Sequence, residues 1–197
     1  MITTDEISRS FRGAYLLLRG RREGMREFDT SLSGFWRSFQ VILLLIPFYL
    51  LLFSVERKLY LTQSAFSNET FPEGRFFVSG VLTIGIDWIA YPAILAILAR
   101  PLGFARAYAP YIVAYNWSMI FVAIILLPPY LLYSFGVVSV DALLLLQLMC
   151  TIFVLRYQYT VARIATLTTM GVAIGLVAFN FVLSLVVELF IGHTIGI

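Results

Sequence analysis

Long uninterrupted runs of apolar residues dominate the pattern along the chain, and most of the polar residues lie between them. Five of these runs approach the length of about 20 residues that an α-helix needs to cross a ~30 Å hydrocarbon core. The runs are continuous rather than alternating, which favours helices over the strands of a barrel. We therefore predict five transmembrane helices, over residues 39–55, 76–98, 110–135, 137–155 and 170–192.

The predicted fold class is all-α, a polytopic membrane helix bundle over residues 39–197 preceded by an amphipathic segment over residues 1–38. One alternative concerns the third and fourth spans. Pro128 and Pro129 lie close to the very short turn at Phe135 and Gly136. Proline interrupts helices, so these two spans could instead form a re-entrant hairpin.

Composition excludes a soluble fold. Apolar residues make up 60% of the chain and charged residues 13%, against roughly 45–50% and about 25% in ordinary soluble domains. Mean hydropathy is +0.90. A soluble domain of this size could not bury so much apolar surface, so the excess must face lipid.

The placement of the positive charges predicts the topology. Eleven of the 14 Lys and Arg residues would lie on the same side of the membrane as the N-terminus. Only Arg57, Lys58 and Arg75 would lie on the other side. Because cytoplasmic loops carry an excess of positive charge, we predict that the N-terminus is cytoplasmic and the C-terminus is outside. We expect an integral membrane protein of the bacterial inner membrane.

The segment before the first span has an amphipathic pattern. Thr3 and Glu6 form a capping-box pattern, and Ile7, Phe11 and Leu18 follow at helical spacing. We predict amphipathic N-terminal helices at the membrane interface, with the alternative that they pack on a neighbouring protein. The lipid bilayer is then a partner through its anionic headgroups, contacted by Arg9, Arg12, Arg19, Arg21, Arg22 and Arg26.

Four polar residues within the spans fall at a similar predicted depth. They are Asp87, Asn116, Gln147 and Asn180, one from each of four spans. An ionisable residue in a span is a functional candidate because its burial is costly, and Asp87 is expected to be protonated or hydrogen-bonded. The layer is either a binding or proton-transfer site or a set of interhelical hydrogen bonds that hold the bundle together.

Small residues predict a smooth face on the last span. Gly171, Gly175 and Ala178 allow close helix packing, either within the bundle or in a dimer. A leucine at either glycine is predicted to crowd that contact. Other membrane proteins, or a second copy of this chain, are therefore expected partners.

The residues that catalysis requires are missing from the pattern. His193 is the only histidine, and the chain has no phosphate-binding glycine loop and no GxSxG motif. We predict no catalytic, cofactor-binding or metal-binding residues, and therefore a protein that is not an enzyme. Nucleic acid is not an expected partner, because the basic residues follow the predicted membrane edge.

The order of these parts resembles bacterial members of the Yip family. The resemblance is carried by Tyr91-Pro92 ending span two, Leu102-Gly103-Phe104 with Tyr108 and Pro110 opening span three, and residues 155–165 before span five. The Arg-rich opening through Phe35-Trp36-Arg37 is also similar to small membrane proteins of alphaproteobacteria. The resemblance implies five spans, a cytoplasmic N-terminal segment and an outward C-terminus, and it leaves the function open.

Two functions remain as hypotheses. The first is a non-enzymatic accessory or membrane-organising subunit of a larger membrane assembly. The alternative is a small transporter or proton-coupled permease that uses Asp87 and the polar layer. The two hypotheses differ in the expected effect of Asp87→Asn, since an amide can preserve hydrogen bonds but cannot carry the proton.

Overall fold

A computed structural model describes residues 3–63 and 71–195 of the chain. Within these residues the secondary structure is helical, without strands. The short N-terminal helices are α1 (Thr4–Leu18) and α2 (Leu32–Ser38), joined through a 3-10 turn at Arg22–Glu27. The long helices are α3 (Val41–Gln63), α4 (Glu73–Leu98), α5 (Tyr108–Ser134), α6 (Val140–Thr166) and α7 (Met170–Ile195).

The prediction of an all-α bundle with five long apolar helices is confirmed. Five candidate spans of 26 to 31 residues are long and apolar enough to cross a membrane, so the chain is built as an integral membrane protein. For spans three and four, the helix lengths favour two full crossings over the re-entrant alternative. α5 and α6 are continuous helices of 27 residues each, and α5 runs through Pro128 and Pro129.

The first span extends further than its hydropathy indicates. The apolar run ends at Val55, whereas α3 continues to Gln63. Val55 packs in a small buried cluster with Tyr133 of α5 and Leu143 of α6, and Leu59, one turn later, packs against the same cluster. This packing stabilises the last turns of α3, although they carry charged side chains.

α5 lies at the centre of the bundle and contacts α3, α4 and α6. Half of its most apolar stretch is buried, a larger share than in any other span among the described residues. α4 pairs with α7, and α7 also packs on α6. The α4–α7 pair therefore faces the α3–α5 pair, and this arrangement leaves room between them.

The N-terminal segment folds back onto the bundle. We call α1, the 3-10 turn and α2 together the collar (Thr4–Ser38), and we call the two ends of the bundle the collar end and the far end. α1 packs against α5 and α6, with Ala14 and Leu17 completely buried. The Tyr157 hydroxyl donates to the Ala14 carbonyl at 2.9 Å. The apolar face of α1 thus contacts the protein's own helices.

An ion-pair network fastens α1 to α2. Arg37 of α2 donates through Nε to a Glu6 carboxylate oxygen at 2.8 Å and through Nη2 to an Asp29 oxygen at 2.5 Å. Glu6 is 5% exposed, so removal of its partner would leave a buried charge. Hydrogen bonds from Ser31, and the positive charge of Arg37, lower the pKa of Asp29 below its ordinary value.

Glycine allows close backbone approaches in the collar. A Cβ added at Gly34 would lie 2.1 Å from the Asp29 backbone oxygen. Gly13 and Gly24 lie against each other, and a Cβ at Gly24 would be 2.6 Å from the Gly13 oxygen. These approaches need the absence of a side chain, so the collar has one specific packed arrangement.

Candidate functional site: a polar cavity between two helix pairs

A cavity of about 790 Å³ lies between the α3–α5 side of the bundle and the α4–α7 pair. It extends from Trp88 and Gln158 toward the far end of the bundle, where Glu188 and His193 line it. The size is within the range of ~300–1,000 Å³ that is typical of small-molecule sites.

Two regular stripes of polar side chains line this cavity. On α4 they are Ser79, Thr83 and Asp87, and on α7 they are Asn180, Ser184 and Glu188. Each stripe repeats every four residues, which places its members on one face of a helix. Because α4 packs against α7, the two stripes lie side by side and form a polar wall.

Asp87 lies deep in the cavity and keeps unused hydrogen-bonding capacity. Its carboxyl group lies beside the Ser184 hydroxyl. Its Oδ1 atom is buried without a hydrogen-bond partner in the described structure. Buried oxygens of this kind normally have a partner, which can be protein, water or a ligand. The deep end of the cavity therefore offers an acceptor, or a donor if the group is protonated.

Asn180 belongs to a hydrogen-bonded chain across three helices. The Tyr115 hydroxyl of α5 donates to Asn180 Oδ1 at 3.2 Å. Asn180 Nδ2 of α7 in turn donates to Gln158 Oε1 of α6 at 3.3 Å. All three side chains line the cavity, and their mutual bonds hold α5, α6 and α7 around its deep end.

Glu56, Glu188 and His193 give the far end of the cavity its ionisable groups. The ion pairs among the described residues do not include either glutamate. Two of the cations near this end have other partners. Lys58 donates to the Tyr133 carbonyl at 3.2 Å, and Arg57 pairs with Glu73 at 2.5 Å.

Aromatic rings form much of the remaining wall. The Phe53 ring lies directly over Gly80, so that a Cβ at Gly80 would be 2.4 Å from the ring. This contact brings α3 to α4 alongside the cavity. The Trp88 indole donates to the Phe39 carbonyl at 3.1 Å, which anchors α4 at the start of α3.

The four predicted layer residues divide into two groups. Asp87 and Asn180 line the cavity together. Asn116 is 1% exposed and donates to the Ser38 hydroxyl of α2 at 2.9 Å, so it holds the collar to α5. Gln147 lies beside Tyr130, outside the cavity lining, with its Oε1 buried and unpartnered.

The other residues that line the site escaped prediction for identifiable reasons. Glu56 follows directly after the predicted first span, because the apolar run ends at Val55, and Gln158 falls beyond the predicted fourth span. Ser184 carries no charge and attracts no attention alone. The four-residue spacing within each stripe is the signal in the sequence that could have found them.

The predicted small-residue face points away from the rest of the chain. Gly171, Gly175 and Ala178 are exposed. A Cβ added at either glycine would have no atom of another described helix within 4 Å. The face is therefore not a helix contact within the described bundle, and a larger residue there has nothing to crowd. Packing of this face against a second molecule stays a prediction.

The six arginines predicted to contact lipid are all exposed. Arg9, Arg12 and Arg19 lie on the outer surface of α1, and Arg21, Arg22 and Arg26 lie in and beside the 3-10 turn. Their contact with anionic headgroups stays a prediction. The docking of α1 holds these cations in one region at the collar end.

No group of three His, Cys, Asp or Glu side chains that could hold a metal ion occurs within residues 3–63 and 71–195. The carboxyl groups of the cavity are distributed along its length, one on each of three helices.

Comparison of the chain with protein-family models, with curated proteins and with solved structures gives no match in any of the three.

Proposed function

We propose that the protein is a small permease that binds a polar solute in the cavity and couples its movement to protonation of Asp87. One observation carries the proposal: Asp87 lies at the deep end of a cavity of about 790 Å³, with Oδ1 buried and unpartnered. A carboxyl group inside a span is costly, and transporters use such groups to relay protons.

The surroundings of Asp87 suit reversible protonation. Ser184 lies beside it, and the polar stripe of α7 continues from there to Glu188. Water in the cavity would connect the carboxyl group to the far end. No Lys or Arg lines the cavity among the described residues, so no fixed cation holds Asp87 in its ionised form.

The test is a pH measurement inside liposomes that contain the purified protein and a trapped pH-sensitive dye. Amines, amino acids and sugars are added outside, one class at a time. We expect that at least one class changes the lumenal pH with the wild type and that Asp87→Asn abolishes the change. Asp141→Asn is the matched control, because Asp141 is exposed at the start of α6, outside the cavity lining.

Two results would count against the permease. The first is a lumenal pH that no class of solute changes beyond protein-free liposomes. The second is an unaltered response in Asp87→Asn, which would reduce Asp87 to a hydrogen-bonding role that an amide can fill. Abundance and elution volume of each variant verify that folding is intact.

A second function is favoured by the exposed face of Gly171, Gly175 and Ala178. A smooth helix surface with no partner among the described residues suits a neighbouring membrane helix. We propose here an accessory, non-enzymatic subunit of a larger assembly in the bacterial inner membrane. Purification from native membranes in mild detergent tests it: a stoichiometric partner in the mass spectrum supports it, and isolation without one refutes it.

A further inference from the structure

The charges that face the cavity are predominantly acidic. Glu56 of α3, Asp87 of α4 and Glu188 of α7 each present a carboxyl group from a different helix. The remaining ionisable groups of the lining are His193 and tyrosines. The cavity therefore has a negative potential whenever its carboxyl groups are ionised.

The nearby basic side chains do not offset this charge from within the cavity. Lys58 lies over the Tyr133 ring, with Nζ 4.6 Å from the ring centroid. Arg57 contacts Glu73 and the Phe71 ring, and Arg75 is exposed one turn before Ser79 on α4. None of these three cations is part of the cavity lining. A bound solute would thus meet carboxyl groups without competing fixed cations among the described residues.

The walls add a second feature that attracts cations. Aromatic residues line the cavity along its whole length: Tyr49, Phe53, Tyr60, Phe76, Trp88 and Tyr115. Ring faces attract organic cations such as quaternary ammonium groups through the negative face of the ring. The same rings provide apolar surface for the body of the molecule. Phosphate or carboxylate groups, in contrast, would be repelled by the acidic side chains whenever these are ionised.

We infer that the cavity takes an organic cation, a molecule with an ammonium group on an apolar or aromatic body. This inference rests on the proposed function, because it names the class of solute that the same cavity would bind. It follows from the charge and the aromatic walls, and it does not require proton coupling.

The experiment measures how the sign of charge on a small reagent affects its entry. A cysteine is placed in the cavity by Ser184→Cys in a Cys150→Ala background, in the uncharged detergent dodecyl maltoside. We compare the labelling rates with a trimethylammonium methanethiosulfonate and with a sulfonate methanethiosulfonate. Val137→Cys, in the exposed α5–α6 turn, corrects for their intrinsic reactivities. Ser118→Cys, fully buried outside the cavity lining, is the inaccessible control.

We expect the cation-to-anion rate ratio at Ser184→Cys to exceed that at Val137→Cys by roughly tenfold or more, since a charged cleft with low-dielectric walls concentrates counter-ions. Adding Glu188→Gln or Asp87→Asn should lower the ratio. Millimolar benzyltrimethylammonium should slow the labelling, and benzenesulfonate of similar size should not. Ser79→Cys, on the opposite stripe, repeats the measurement if Ser184→Cys fails to fold.

The outcomes separate the two proposals. Equal rate ratios at Ser184→Cys and Val137→Cys, with rapid labelling at both, would overturn the organic cation and leave an open cavity for another solute. Labelling of Ser184→Cys and Ser79→Cys as slow as Ser118→Cys with both reagents would mean that water does not reach the cavity. That result would overturn the permease together with its solute.

Discussion

Replacing Gly34 by alanine tests the packing of the collar most severely. The new Cβ would lie 2.1 Å from the Asp29 backbone oxygen and 2.6 Å from the Asp29 Cγ atom. Because carbon and oxygen atoms without a covalent bond rarely approach closer than about 3.3 Å, the turn before α2 must move by roughly 1 Å. That movement lengthens the 2.5 Å contact between Arg37 and Asp29 beyond hydrogen-bonding range.

The size of the effect follows from three contributions. Overpacking costs about 1–3 kcal/mol. Loss of a hydrogen bond between charged groups costs about 1.5–3 kcal/mol. The gain in helix propensity from glycine to alanine returns about 1 kcal/mol. We therefore expect Gly34→Ala to destabilise collar docking by about 1.5–5 kcal/mol, which raises the open population roughly tenfold or more.

Limited trypsin digestion in dodecyl maltoside measures that population. Arg12 lies within α1, where cleavage needs local unfolding of the helix. We expect cleavage after Arg12 to accelerate by a similar factor, roughly tenfold or more, in Gly34→Ala. Gly175→Ala is the matched control, because it makes the same change in a long helix with no atom within 4 Å of the new group. A wild-type cleavage rate in Gly34→Ala would refute the collar packing described here.

Three further predictions concern single groups. Hydrogen bonds from Ser31, and then the charge of Arg37, lower the pKa of Asp29. The stability that ionised Asp29 contributes is therefore present above the unfolded-state pKa of about 4, and it is lost as the pH falls from there through the lower folded-state pKa. Pepsin should therefore cleave the collar faster with falling pH in this range, and Asp29→Asn should flatten the dependence; equal profiles would contradict the prediction. Tyr157→Phe should remove the hydrogen bond between α6 and the Ala14 carbonyl of α1 and weaken collar docking by about 0.5–1.5 kcal/mol. Faster trypsin cleavage would show this effect, and an unchanged rate would count against the bond. Gly175→Leu should leave the melting temperature of the detergent-solubilised monomer unchanged, and a clear decrease would show that this face is packed inside the protomer.

Hydropathy predicted the helical framework because five long apolar runs have few other solutions in a membrane. It could not predict that α1 would dock on its own bundle. An amphipathic face fits lipid and protein equally well, and the choice depends on distant contacts. Tyr157 and Ala14, for example, are 143 positions apart in sequence. The glycine approaches within the collar likewise arise only when the segments have met.

The candidate site was predicted in part because depth and rotation are different properties of a helix residue. Counting residues along each span placed Asp87, Asn116, Gln147 and Asn180 at a similar depth. Whether a side chain faces the cavity depends on how its helix is rotated, and that is decided by packing. Asn116 faces α2, whereas Asn180 faces the cavity beside the Asp87 stripe. The four-residue repeat on α4 and α7 contained that rotational information.

The proposed permease is tested most directly by measuring from which side of the membrane water reaches the deep end of the cavity. A membrane-impermeant cationic thiol reagent is applied to Ser184→Cys in sealed right-side-out vesicles and in inside-out vesicles. The predicted topology has the far end outside, and the cavity extends toward that end. We predict rapid labelling of Ser184→Cys in right-side-out vesicles and slow labelling in inside-out vesicles. Labelling only from the inside, or from neither side, would contradict this prediction.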